Sequence, residues 1–313
     1  MEPRLAFVFP GQGSQSVGML AELARVSPKV QETFAEASDV LGFNLWQLVQ
    51  EGPEEALNQT VNTQPALLAA GVAIWRVWCE RTHVRPAWMA GHSLGEFSAL
   101  VCAESLAFLD AVRLVAERGR LMQRAVPEGK GSMAAILGLE DPIVVRLCHE
   151  VAATDGLVAA ANFNAPGQVV IAGEAAAVAK ACEKAKAQGA KRAVVLSVSV
   201  PSHCLLMQPA AAEFAQLLAT IPLQPPKIPV VHNVDVGTHS APEVIRALLT
   251  EQLYSPVRWS DTIRFLHDQG VKDFVECGPG RVLTGLNKRI VPEHRTWPLF
   301  DPETLENVLE ALG

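Results

Sequence analysis

"PAWMAGHSLGEFSALVCA", residues 86–103, reads as a short apolar strand, a sharp turn and a helix. Its centre, Gly91-His92-Ser93-Leu94-Gly95, fits G-x-S-x-G, the nucleophile elbow. There a serine is held in a strained turn, and neighbouring Cβ atoms are crowded enough to require glycine on both sides. Ser93 Oγ then stands at a helix N-terminus, and the N–H of Leu94 is free to bind an oxyanion. An elbow of this kind sits on a parallel sheet, and the chain around it alternates apolar strands with amphipathic helices as such a sheet requires. Leu5–Phe9 is a strand; a helix opens at Ser27-Pro28 and stops near Gly42; a long helix follows from about Pro65 to Arg81. "PVVHNV", "DFVECGPG" and a last helix opened by Asp301-Pro302 complete the pattern.

The stretch 130–199 has a different order. It runs strand ("SMAAILGL"), helix (141–153), strand ("LVAAANF"), strand ("QVVIAG"), helix (174–188), strand ("RAVVLSV"). β-α-β-β-α-β in roughly 70 residues is the ferredoxin-like motif. The expected architecture is therefore α/β: a large hydrolase-like parallel-sheet domain, residues 1–129 and 200–313, with a small ferredoxin-like subdomain, 130–199, inserted into it.

A second glycine-rich turn, "FPGQGSQSVGML" (Phe9–Leu20), follows the first strand. A dinucleotide fingerprint needs glycine where Ser16 stands, and a P-loop needs lysine where Met19 stands, so both phosphate readings fail. Strand ends of a parallel sheet face one crevice, which lets this turn meet the elbow and supply the Gln12 N–H as second oxyanion donor.

Composition narrows the function. The 313 residues are 49% apolar and 19% charged with a formal net charge of −7, an ordinary globular balance that speaks against nucleic acid. Six cysteines without a C-x-x-C pair read as buried free thiols of a reducing cytoplasm. The apolar run after Met1-Glu2-Pro3 is too short for a signal peptide, and "ALLAAGVAIW" (66–75) is too short to span a bilayer. A cytoplasmic protein with no membrane contact is expected.

A serine nucleophile needs a base. His203, in "SVPSHC", lies where the insert re-enters the large domain through a proline turn, a natural cleft position. His92 adjoins Ser93 but points the wrong way to be its base, and lines the pocket instead. His149 fails the H-E-x-x-H zinc pattern, and His83, His232, His239, His267 and His294 read as loop or surface residues; no metal site is expected. In "DAVRLVAERGRLMQRAV" (110–126), Arg118 falls inside the apolar stripe of Ala111, Leu114, Val115, Leu121 and Met122. A guanidinium on a buried face needs an anion, either a protein carboxylate or a substrate carboxylate bound bidentately.

"FPGQGSQ", "TQPAL", "GHSLGE", "ERGRLMQ", "NFNAPGQVVIAG", "PSHC", "QLYSPVRW" and "ECGPGRVLTGL" stand in this order along essentially the whole chain. In them the sequence resembles the malonyl-CoA:acyl carrier protein transacylases of bacterial fatty acid synthesis. The resemblance implies a Ser93–His203 dyad whose imidazole is oriented by a carbonyl of Gln252, oxyanion donors from Gln12 and Leu94, and Arg118 as clamp for the malonyl carboxylate. It also implies Asn162 and Asn164 near the thioester arm, with Gln64 and His92 lining the pocket.

The activity so implied is ping-pong transfer of malonyl from malonyl-CoA to the phosphopantetheine thiol of acyl carrier protein, without a cofactor, by a chain expected to be monomeric. Polyketide acyltransferases share the same core, which keeps a stand-alone polyketide-type transferase as the alternative. A serine esterase or thioesterase is the other; Arg118 in the pocket favours the transferase, because a lipid hydrolase needs an apolar tunnel there. A non-enzymatic carrier-docking module has no use for an elbow. Lys191-Arg192 and Lys288-Arg289 are the candidate docking sites for an acidic carrier protein, flanking the cleft mouth.

Overall fold

Leu5–Phe9 is apolar at every position and buried on both faces, which places its strand in the middle of a sheet. The structure, a computed structural model, describes residues 1–196 and 200–312. Its strands are β1 (Glu2–Phe9), β2 (Pro86–Gly91), β3 (Gly131–Leu137), β4 (Val158–Ala165), β5 (Gln168–Glu174), β6 (Arg192–Val195), β7 (Val230–Val231), β8 (Asp273–Cys277) and β9 (Arg295–Leu299). The first sheet has the order β7-β2-β1-β8-β9 with every pair parallel. Phe9 pairs with Gly91 on one side of β1, and Val8 with Glu276 on the other. Successive strands thus leave β1 in opposite directions, and a crevice opens beyond the C-terminal ends of β1 and β2.

The second sheet, order β4-β5-β3-β6, is antiparallel and has the ferredoxin-like connectivity. Helices Asp141–Ala152 and Ala175–Ala187 cover one face, where Ala134, Ile136, Val169 and Ile171 form a small core of their own. The opposite face presents Met133, Ala161, Val170 and Ala172, packed against Cys204 of the parallel-sheet unit. Edge strand β4 is the joint: Val257 N–H donates to Ala161 O and Phe163 N–H donates to Val257 O, both at 2.9 Å.

Two elements differ from expectation. The long helix starts at Thr60, five residues before Pro65, because its first-turn N–H groups find acceptors: Val61 N–H donates to Gln123 Oε1 at 2.7 Å, and Asn62 and Thr63 N–H donate to Gln59 O at 2.8 Å. Strand β9 was not anticipated, since Pro298 interrupts it and only an edge strand tolerates that. The expected strand through Val198 is found over Arg192–Val195; residues 197 and 198, and the expected domain boundary at 199, lie outside the described residues. All six cysteines are free, and among the described residues no helix is long and apolar enough to cross a membrane.

Candidate active site

Close backbone approaches build the floor of the crevice. A Cβ on Gly95 would lie 2.0 Å from Phe9 O, one on Gly91 1.9 Å from Gly95 C, and one on Gly11 2.5 Å from His92 O. No side chain fits at any of these, so the glycine-rich turn after β1 lies directly against the elbow. Ser93 itself has φ 52°, a conformation that costs an L-residue roughly 1–3 kcal/mol and persists only where the surroundings impose it. Asn233 imposes it: its Oδ1 accepts from Ser93 N–H and its Nδ2 donates to Gly91 O, each at 2.7 Å.

Ser93 Oγ lies 2.8 Å from His203 Nε2, and His203 Nδ1 lies 2.8 Å from the main-chain O of Gln252. A carbonyl only accepts, so the proton of the neutral imidazole sits on Nδ1 and Nε2 is left to accept from the serine hydroxyl. Burial, reinforced by the Arg118 charge, pushes the His203 pKa down to about 3, which keeps the ring neutral at neutral pH. Gln12 and Leu94 line the same cleft from the two turns, and their N–H groups have no acceptor among the described residues. The Gln12 side chain is tied to Thr60 Oγ1 at 3.4 Å.

Arg118, on helix Phe108–Ala125, is 1% exposed. Its Nη1 donates to Gln64 Oε1 and its Nη2 to Gln252 Oε1, both at 2.9 Å; Nη2 also reaches Ser93 Oγ at 3.4 Å, while Nε has no partner. Its partners are thus two amide oxygens and the Ser93 hydroxyl, and no carboxylate forms an ion pair with it among the described residues. Burial lowers its pKa to about 10, against the pull of Glu96, so it stays cationic. The ring of Phe97 lies under the guanidinium, 5.5 Å from Cζ.

These groups open into a cleft of about 180 Å³ roofed by the antiparallel sheet. That is below the usual range for drug-sized ligands and suits a short acyl group. Asn162 and Asn164 of β4 reach it with Met133, Val170 and Leu196. His92 joins floor to roof, its Nε2 2.8 Å from Asn164 Oδ1, and burial lowers its pKa. The nine expected cleft residues therefore meet in one place, and Gln252 lies just beneath them, fully buried.

The basic pairs line no part of the cleft. Arg289 Nη2 donates to Pro166 O of the β4–β5 turn at 2.9 Å, and Arg192, on β6, lies across Leu137 of β3 from Gln168.

Two histidines read as loop or surface residues are buried. His232, 0% exposed, donates from Nδ1 to Glu96 Oε1 at 2.7 Å. His294, 7% exposed, stacks on Phe274 and hydrogen-bonds His267 at 2.7 Å. Both follow short apolar or turn segments whose burial comes from tertiary packing, which local pattern does not report. Glu96 and Asn233 were missed as well. A single carboxylate in the otherwise apolar helix Gly95–Cys102 was the available signal for Glu96; Asn233 had none. Among the described residues, His267, Glu293 and His294 form the group able to hold a metal ion, and it stands at the N-terminal end of the parallel sheet, opposite the cleft.

Fold and cleft together define an acyltransferase: the chain belongs to the acyl transferase domain family, whose model matches residues 6–295. Within that family it is one of the malonyl CoA-acyl carrier protein transacylases. The protein of that name from Salmonella typhimurium is 56% identical over 98% of this chain and 99% of its own length. An acyl carrier protein S-malonyltransferase solved from Vibrio cholerae is 55% identical over 97% of this chain and 99% of that one, with a TM-score of 0.95. A malonyl-transacylase solved in complex with its holo type II PKS acyl-carrier protein is 57% identical over 98% and 99%, with a TM-score of 0.97.

Proposed function

We propose that this chain carries a malonyl group from malonyl-CoA to the phosphopantetheine thiol of an acyl carrier protein, through a malonyl ester on Ser93. His203 Nε2 takes the Ser93 proton as Oγ attacks the thioester carbonyl, whose oxygen becomes an oxyanion facing the Gln12 and Leu94 N–H groups. The C–S bond breaks, the imidazolium returns its proton to the departing CoA sulfur, and the malonyl ester remains. The carrier thiol then gives its proton to His203 and attacks the ester, and Ser93 leaves with that proton. The Gln252 carbonyl holds the imidazole in the tautomer both halves need. Asn162, Asn164, Gln64 and His92 shape the space for the thioester arm. No resident cofactor or metal takes part, and the reaction belongs in the cytoplasm.

The observation that carries this reading is Arg118: buried, cationic, 3.4 Å from the nucleophile and without a protein carboxylate. A substrate carboxylate supplies the missing anion, whereas acetyl-CoA leaves the guanidinium unpaired. Arg118→Ala is expected to lower kcat/KM for malonyl-CoA by about 10²–10³, roughly 3–4 kcal/mol, and to raise the relative use of acetyl-CoA. A parallel loss with both substrates and a lowered Tm would mean that Arg118 serves the fold alone.

We further propose residues 130–199 as an inserted subdomain and the four basic residues Lys191, Arg192, Lys288 and Arg289 as a local positive surface for the carrier. Fatty acid synthesis is the first reading of the pathway. The neighbour solved with a polyketide carrier favours a second, and transfer rates to the two kinds of holo carrier protein separate them.

A further inference from the structure

Under the elbow, a buried carboxylate sits one amide away from the buried arginine. Glu96 is 1% exposed and uses both oxygens: Oε1 accepts from His232 Nδ1 at 2.7 Å, and Oε2 accepts from Asn233 N–H at 3.1 Å and Gln252 Nε2 at 2.8 Å. The Gln252 amide then presents its Oε1 to Arg118 Nη2 at 2.9 Å. We infer that Glu96 is a positioning residue for acyl-group selection: it fixes the Gln252 amide so that the guanidinium is aimed into the cleft, balanced by a charge that does not occupy it. This rests on the reading of Arg118 as the carboxylate clamp.

A carboxylate only accepts, so the Gln252 NH₂ must face Glu96 and its oxygen must face Arg118. A neutral amide at position 96 both donates and accepts, so it no longer dictates which way the Gln252 amide faces and leaves that to the bond from Gln252 Nε2 to the neutral Ser93 O, at 3.1 Å. Two opposite charges buried together are far less costly than one alone. Direct contact between them would fill the hydrogen-bonding edge that a substrate carboxylate needs. Placing an amide between them keeps the compensation and leaves Nε without a protein partner. The hydrogen bond that orients the base is insulated from this relay, because His203 is held by the Gln252 main chain and not by its side chain.

That insulation gives the test. The kcat/KM for acylation of Ser93 by malonyl-CoA and by acetyl-CoA is measured, with Tm, for Glu96→Gln, Gln252→Met, Arg118→Ala and the Glu96→Gln/Arg118→Ala pair. Glu96→Gln and Gln252→Met should each lower the malonyl:acetyl ratio by about tenfold to a hundredfold, the factor of one hydrogen bond to a charged group. In the Arg118→Ala background, Glu96→Gln should leave the ratio unchanged, since the relay has nothing left to aim. Should Glu96→Gln fail to fold, Gln252→Met carries the test alone. An unchanged ratio in the folded variants, an equal fall with both substrates, or a further fall in the double variant would overturn the inference. Arg118→Ala keeping its malonyl preference would instead overturn the clamp itself.

Discussion

The floor and roof of the cleft are held by different means. On the floor, Gly11, Gly91 and Gly95 bring two backbone segments, the turn after β1 and the elbow, closer than any Cβ permits, and Asn233, Glu96 and Gln252 fasten them from below. The roof is made of side chains on one face of an antiparallel sheet, attached through β4 and the His92–Asn164 bond. The difference separates two requirements. On the proposed mechanism, proton transfer between Ser93 and His203 depends on tenths of an ångström, which backbone contacts fix. Admission of a long thioester arm needs a surface that can be shaped without disturbing that geometry.

The largest effects should therefore come from the floor. Gly95→Ala forces a methyl group onto Phe9 O and should destabilise the protein by about 4 kcal/mol or more, seen as a collapse of Tm and soluble yield. Gly167→Ala, in the β4–β5 turn of the roof unit, meets nothing closer than 3.6 Å and should cost only the left-handed conformation, about 1–2 kcal/mol. Similar losses at both positions would erase the contrast. Next in size, His203→Ala should slow acylation by a factor of about 10²–10⁴ in single-turnover measurements.

On the roof, Asn164→Ala should raise KM for malonyl-CoA by about tenfold while kcat is largely retained, as expected when uniform binding is removed. A fall in kcat matching that of His203→Ala would place Asn164 in the chemistry and blur the division between the two sheets.

The same contrast has a pH dependence. His203 and His92 have folded-state pKa values below the 6.5 of an unfolded chain. Below pH 6.5 the unfolded state binds more protons, so stability is fully present above that pH and falls as pH drops toward the folded pKa values. Each contributes a slope of at most about 1.4 kcal/mol per pH unit. Tm should decline from pH 7 to 5, less steeply in His203→Ala; acylation should show no inflection near 6.5. The smallest effect belongs to the surface: reversing Lys191, Arg192, Lys288 and Arg289 should raise KM for the carrier severalfold at low salt and by less at high salt.

Much of the floor was legible because its residues carry local signals. G-x-S-x-G marks Ser93, the glycine-rich turn marks Gln12, and an arginine inside an apolar stripe marks Arg118. Gln252 and Asn162 were legible only through family resemblance, since nothing in their own neighbourhoods points to a cleft. His232 and Asn233 were not legible, because a short edge strand, β7, and its following turn deliver them beneath an elbow 140 residues away. The order of the roof strands was readable from β-α-β-β-α-β; how β4 docks on Val257 was not, because a single bridge leaves no pattern in either segment.

On the proposed mechanism the floor is acylated on one atom, Ser93 Oγ, before the acceptor arrives. The direct measurement incubates the protein with malonyl-CoA alone, digests it, maps the adduct by mass spectrometry, and repeats this after adding holo carrier protein and with Ser93→Ala. The account predicts a single malonyl adduct on Ser93, discharged by the carrier and absent from the variant. An adduct on another residue, or transfer to the carrier by Ser93→Ala at the wild-type rate, would contradict it.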